Sequence, residues 1–194
     1  MIYFAGQPKF NSNPKDDFPR GQHWDDTESM NEDLIAYWNE TVGKEDQVFV
    51  LGEFLDFSKN LSGKSIEKLV SQLNGNILHV YHNQDRDTDF SEYTGVCILG
   101  TTIQYRQKTI HITNFLEHIN RIESNLMISS CRRSLLNKEN LKSIYYHKNG
   151  STIFQNNISR PVYNVNIELW GYKPVSIETI LNSYSLYLKR NEDL

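Results

Sequence analysis

Apolar runs of strand length recur along the chain, and each closes on polar residues. Ile2-Tyr3-Phe4-Ala5-Gly6 is followed by Gln7-Pro8-Lys9-Phe10, and Val48-Phe49-Val50-Leu51 by Gly52-Glu53. Ile77-Leu78-His79-Val80-Tyr81 leads into His82-Asn83-Gln84-Asp85, Ile110-His111-Ile112-Thr113 into Asn114, and Leu126-Met127-Ile128 into Ser129-Ser130-Cys131-Arg132-Arg133. Short apolar runs bounded in this way read as buried strands. Stripes of helical spacing lie between them. Leu34, Ile35, Trp38 and Val42 follow a capping box at Ser29-Met30-Asn31-Glu32. Ile66, Leu69, Val70 and Leu73 repeat from Ser65 until Asn74-Gly75 stops them, and Ile177, Ile180, Leu181, Tyr184 and Leu188 form a face capped by Ser176. Strand, helix, strand in this rhythm predicts parallel pairing through right-handed crossovers.

From Val96 onward the pattern becomes antiparallel. Val96 to Tyr105 and Lys108 to Thr113 are β-branched runs separated by Arg106-Gln107, which predicts a hairpin. His111 on its second strand reads as a packed or surface residue rather than a ligand. Phe115 to Ile122 predicts a short helix, and Tyr163 to Leu169 a strand. Asn149-Gly150 between Ser143-Ile144-Tyr145-Tyr146-His147 and Ser151-Thr152-Ile153-Phe154-Gln155 predicts a second hairpin. Asn11 to Glu28, with Pro14, Pro19 and Gly21, reads as a long loop. Its Phe18 and Trp24 either tuck beneath it or serve as exposed anchors.

With 194 residues, 38% of them hydrophobic and 23% charged, the chain suits one soluble domain. A net charge of −4 argues against a nucleic-acid groove. No apolar run approaches the roughly 20 residues of a membrane span, so neither membrane nor nucleic acid is an expected partner. No signal peptide opens the chain, and a cytoplasmic setting is the expectation. Cys97 and Cys131 form no disulfide framework. Frequent Asn, Lys, Ile, Tyr and Phe match AT-rich codons, as in a low-GC bacterium or its phage.

The order of strand tips resembles that of the calcineurin-like metallophosphoesterases, in which D-x-H, G-D, G-N-H-D, a single H and G-H-x-H hold two metal ions. Met30-Asn31-Glu32-Asp33-Leu34-Ile35-Ala36-Tyr37-Trp38-Asn39, Val42-Gly43-Lys44-Glu45-Asp46 and Asn164-Val165-Asn166-Ile167-Glu168-Leu169-Trp170-Gly171-Tyr172-Lys173-Pro174-Val175-Ser176 add framework matches. The resemblance implies an α/β (α+β) fold, a metallophosphoesterase-like αββα sandwich with mixed sheets. It forms a single domain over 1–194, with a divergent insertion at about 134–161 that carries the added β-hairpin.

On that resemblance the former metal-site positions are Gln7, Lys9, Glu53, Asn83, Gln84, Asn114, Cys131 and Arg133. Amides, a thiol and fixed cations are a poor shell for a pair of dications, and protonated Lys9 and Arg133 carry only donors. The expectation is therefore an inactive pseudoenzyme with no cofactor. Glu53 or Asp85 should pair with Lys9 or Arg133, because an unpaired buried carboxylate is costly; otherwise these positions face water. The chain is then expected to act as a protein-binding module through Tyr145, Tyr146, His147, Phe154, Phe18 and Trp24. By analogy with small phage proteins that inhibit host transcription, the narrowest partner is host RNA polymerase or its sigma factor, in the host cytoplasm. Two alternatives are a non-hydrolytic phosphate or nucleotide binder, using Lys9, His82, Arg132 and Arg133, and a residual phosphoesterase using Glu53, Asn83, Asp85 and Cys131 around one ion.

Overall fold

The computed structural model describes residues 1–56, 62–81, 96–114, 124–130, 152–153 and 162–192. Strands β1 (Ile2–Gly6), β2 (Gln47–Leu51), β3 (Asn76–Val80) and β4 (Val96–Ile98) pair in parallel in that order. Tyr3 lies beside Val48, and Val48 beside Ile77. Strand β10 (Val175–Ser176) adds an antiparallel edge to β1, giving a mixed five-stranded sheet. The second five-stranded sheet runs β5 (Gly100–Tyr105), β6 (Lys108–Thr113), β7 (Leu126–Ser129), β9 (Val162–Asn164) and β8 (Thr152–Ile153). Its outer pairs are antiparallel and its inner pairs parallel.

The alternation of side chains along each strand creates the layers. On β2, Val48 and Val50 face one cluster, and Phe49 and Leu51 face another. The first cluster joins the sheet to helix α2 (Thr27–Thr41), through Met30, Leu34 and Trp38, and to helix α3 (Gly63–Val70), through Ile66 and Leu69. The second lies between the sheets, where Phe4, Phe49 and Leu51 meet Ile110, Ile112, Leu126, Ile128 and Tyr163. Helix α4 (Ile177–Glu192) closes it with Ile177, Ile180, Leu181 and Tyr184. Met127 and Ser129, neighbours of Leu126 and Ile128 on the opposite face, are buried too, so strand β7 is covered on both sides. The molecule is thus a mixed α/β sandwich of two mixed sheets with helices. Among the described residues no helix is long and apolar enough to cross a membrane.

Several sequence expectations need correction. Val96 to Tyr105 is not one strand: β4 completes the first sheet, and the chain turns at Leu99 to begin the second. Gly100 permits the crossing, since a Cβ there would lie 3.0 Å from the carbonyl oxygen of Ile112. The hairpin itself forms as expected, with Arg106 and Gln107 at φ 46° and 62°, the left-handed pair that a two-residue turn demands. Helix α2 is capped by Asp26, which accepts from the Ser29 amide at 2.8 Å, so Ser29 lies inside the first turn rather than capping it. Helix α3 starts from Ser62 and ends at Val70. Asn74 instead ties the following connection to α2, accepting Trp38 Nε1–H at its carbonyl (2.9 Å) and donating Nδ2–H to Val42 O (3.0 Å).

Tyr163 to Leu169 also divides: β9 stops at Asn164, and a 3-10 turn (Ile167–Leu169) follows. The Asn11 to Glu28 loop contains a 3-10 turn (Pro14–Asp16) and the single-turn helix α1 (Phe18–Gly21). Trp24 is 7% exposed, donates to Asp33 Oδ2 at 2.8 Å and packs edge-on to Tyr172, so it is an internal prop and not an exposed anchor. Strand β8 places part of the second expected hairpin at a sheet edge. Tyr145, Tyr146, His147, Phe154, the helix at Phe115 to Ile122 and the side chain of Phe18 lie outside the described residues.

Candidate functional site

The parallel strands bring their C-terminal ends to one edge, and two of the chain segments leaving them run side by side. Gln7 N–H donates to Leu51 O (2.9 Å), Lys9 N–H to Glu53 O (3.0 Å) and Phe10 N–H to Phe54 O (3.0 Å). Gln7, Lys9 and Asn11 all adopt the left-handed conformation, at φ 49°, 50° and 63°. Such residues persist only where surrounding structure holds them. The holding group is Arg20, whose side chain is fully buried beneath this segment. It donates from Nη2 to Gln7 O and from Nη1 to Pro8 O, both at 2.9 Å, and from Nε to Glu168 Oε1 at 3.0 Å.

That clamp sets the neighbouring side chains. Lys9 Nζ stands 3.0 Å from Glu53 Oε2, with exposures of only 19% and 18%. The expected pairing of a strand-tip acid with Lys9 is therefore present. Gly52, at φ 80°, carries Glu53 around the turn; its carbonyl meets Nε2 of the buried His79 at 2.9 Å. Burial disfavours the imidazolium and pulls the His79 pKa below its ordinary value, against the opposing effect of the Gly52 carbonyl. Neutral His79 with its proton on Nε2 is the donor in that bond.

The second sheet supplies the other wall. Asn114 Nδ2 donates to Val80 O at 2.8 Å and Tyr81 O at 3.1 Å, while its Oδ1 accepts from Ser130 N–H at 3.2 Å. One buried amide thus binds the tip of β3 to those of β6 and β7. Gly6 N–H donates to Val165 O at 2.7 Å. Asn164 Oδ1 then accepts from Asn166 N–H, and Asn166 Oδ1 from Glu168 N–H, each at 3.0 Å. These bonds lead into and cap the 3-10 turn that carries Glu168 to Arg20. Nearby Tyr172 has its phenol pushed up to about 12, first by burial and then by Glu168.

Of the positions inferred from the sequence, Gln7, Lys9, Glu53 and Asn114 gather at this edge. Asn83, Gln84, Asp85, Cys131 and Arg133 lie outside the described residues. The described residues do not by themselves supply a shell for the paired dications that the resemblance implies. They offer one carboxylate already held by an ammonium, one amide engaged with main-chain groups, and Gln7. Among the described residues no group of three His, Cys, Asp or Glu comes together. Arg20, His79 and Asn166 were not singled out by sequence reasoning. Arg20 sits in a polar loop, where no periodicity marks a side chain for burial.

His79 makes the edge sensitive to acid. Unfolded His79 takes up a proton near its ordinary value of 6.5, whereas the folded protein resists protonation until lower pH. Its contribution is therefore present above pH 6.5 and lost as pH falls below it, at up to about 1.4 kcal/mol per pH unit. Urea unfolding at pH 7.5 and pH 5.5 should show this loss, and the difference should shrink in His79→Gln. An unchanged difference in the variant would contradict it.

No known family's profile matches the chain. An uncharacterized protein of Methanocaldococcus jannaschii is 26% identical over 164 residues, covering 79% of this chain and 74% of its own. Among solved structures, a protein of unknown function from Aquifex aeolicus superposes with a TM-score of 0.65 at 16% identity, over 94% of this chain and 98% of that one. The Aquifex protein shares this fold. Vps29 of Chaetomium thermophilum (TM-score 0.41, 11% identity, 84% and 67% covered) and a novel archaeal phosphodiesterase (0.39, 14%, 85% and 82%) overlap more loosely.

Proposed function

We propose that this chain is a non-catalytic binding module on a metallophosphoesterase-like frame, acting by contact with another protein. The observation that carries the reading is the Lys9–Glu53 pair. An ammonium occupies the carboxylate best placed to bind a cation, and Arg20 fixes the backbone that presents it. Asn114 supports the same reading, because its amide ties the two sheets together. A tip closed by internal bonds leaves the outer surfaces for recognition. Tyrosines of the inserted segment, Tyr145 and Tyr146, are the side chains we assign to that contact. Host RNA polymerase or its sigma factor is the partner proposed.

Two measurements test this. Purified protein equilibrated with manganese or zinc and then dialysed should retain substoichiometric metal, and it should not turn over a chromogenic phosphodiester. Tight stoichiometric metal together with turnover that Glu53→Gln abolishes would overturn the non-catalytic reading. Mixing with purified RNA polymerase holoenzyme should give a co-eluting complex that Tyr145→Ala with Tyr146→Ala weakens; no complex would remove that partner.

A further inference from the structure

Strand β5 is the outer strand of the second sheet, and among the described residues it bonds only to β6. The two-residue turn at Arg106-Gln107 makes Tyr105 and Lys108 a pair that exchanges both main-chain hydrogen bonds. Alternation then directs the N–H and C=O of Tyr105, Ile103 and Thr101 toward β6. Those of Gln104, Thr102 and Gly100 point away, along the open edge. The same three residues are exposed. Folded proteins usually blunt such an edge with Lys, Pro or a bulge. No charge and no proline occur from Leu99 to Tyr105, and Leu99 at the head of the strand is 61% exposed.

We propose that β5 pairs antiparallel with β5 of a second copy of this chain, about a two-fold axis through Thr102. In that register Thr102 faces Thr102 of the second copy, and Gly100 faces Gln104. Every outward main-chain group is then satisfied. A shift by one residue would oppose Thr102 to Ile103, whose groups already serve β6, and a shift by two would strand Gln104 in one direction and Gly100 in the other. A two-fold axis sets like beside like, so an uncharged strand is what self-pairing requires. Arg106, the first charge beyond it, is held by Glu178 at 2.8 Å. A threonine pair across the axis is a favourable cross-strand contact, and Leu99 gains cover opposite Tyr105 of the second copy. The contact is smaller than the roughly 1,200 Å² of a standard interface, so the dimer forms at high concentration and separates on dilution.

Disulfide trapping tests the register. In a Cys97→Ser, Cys131→Ser background, Thr102→Cys and Thr101→Cys are oxidised separately with copper phenanthroline. Thr102→Cys should yield cross-linked dimer in at least roughly tenfold excess over Thr101→Cys, because residues opposite across the axis have Cβ atoms about 4.5–5.5 Å apart, while Thr101 faces Ile103 of the second copy and lies diagonally about 7–8 Å from its own counterpart. Wild-type protein should gain mass with concentration in light scattering. Thr102→Pro should lose that gain and still melt cooperatively, since the N–H removed faces solvent. Equal trapping at both positions, or a monomeric mass for the wild type at every concentration, overturns the pairing.

Discussion

Arg20→Ala is expected to remove about 3–5 kcal/mol of folding stability, the cost of stripping one partner from a buried charged network. That is a large share of the roughly 5–15 kcal/mol typical of a domain. The guanidinium is fully buried and joins segments far apart in sequence: the carbonyls of Gln7 and Pro8, and the carboxylate of Glu168. Removing it strands two carbonyls and a carboxylate, and it frees Gln7 and Lys9 from backbone angles that they adopt only under constraint. Urea unfolding followed by tryptophan fluorescence measures the loss. Arg20→Lys should recover only part of it, because an ammonium is a compact point charge without the planar fork that reaches all three acceptors. A loss below about 1 kcal/mol for the alanine variant, as expected of a solvated pair, would show that the network is not buried in solution.

Gly6→Ala should cost about 3 kcal/mol, the upper end for overpacking, because the new methyl has nowhere to go. A Cβ there would fall 2.7 Å from Asn166 N, 2.7 Å from Val165 O and 2.6 Å from Ser130 Oγ. A serine hydroxyl can rotate aside, but the two main-chain atoms belong to the bridge between the sheets and cannot. Gly43→Ala is the control. Its Cβ would approach only the Asp46 carboxylate, at 3.2 Å, and its effect should stay within about 1 kcal/mol. If both variants unfold at the wild-type urea concentration, the close approach of β1 to Val165 and Asn166 is wrong.

The strands and helices were legible because burial leaves a local periodicity: Val48 to Leu51, Ile110 to Thr113 and the α2 and α4 stripes all fold as that periodicity requires. Capping was less so, since Asp26 and Ser29 are equally good acceptors and only the path of the loop selects between them. The strand split at Leu99 had no periodic signature. An apolar run reads the same whether it stays in one sheet or crosses to the next.

The sequence by itself determined the alternating elements, the hairpin at Arg106-Gln107, and the presence of Lys9, Glu53 and Asn114 at strand ends. All of these follow from spacing along the chain. Tertiary structure alone decided that Arg20 lies buried beneath the β1 tip, that Glu168 returns from 148 residues away to meet it, and that Lys9 faces Glu53. Those outcomes depend on left-handed backbone angles and long-range hydrogen bonds, which cost and gain energy only once both sheets are assembled.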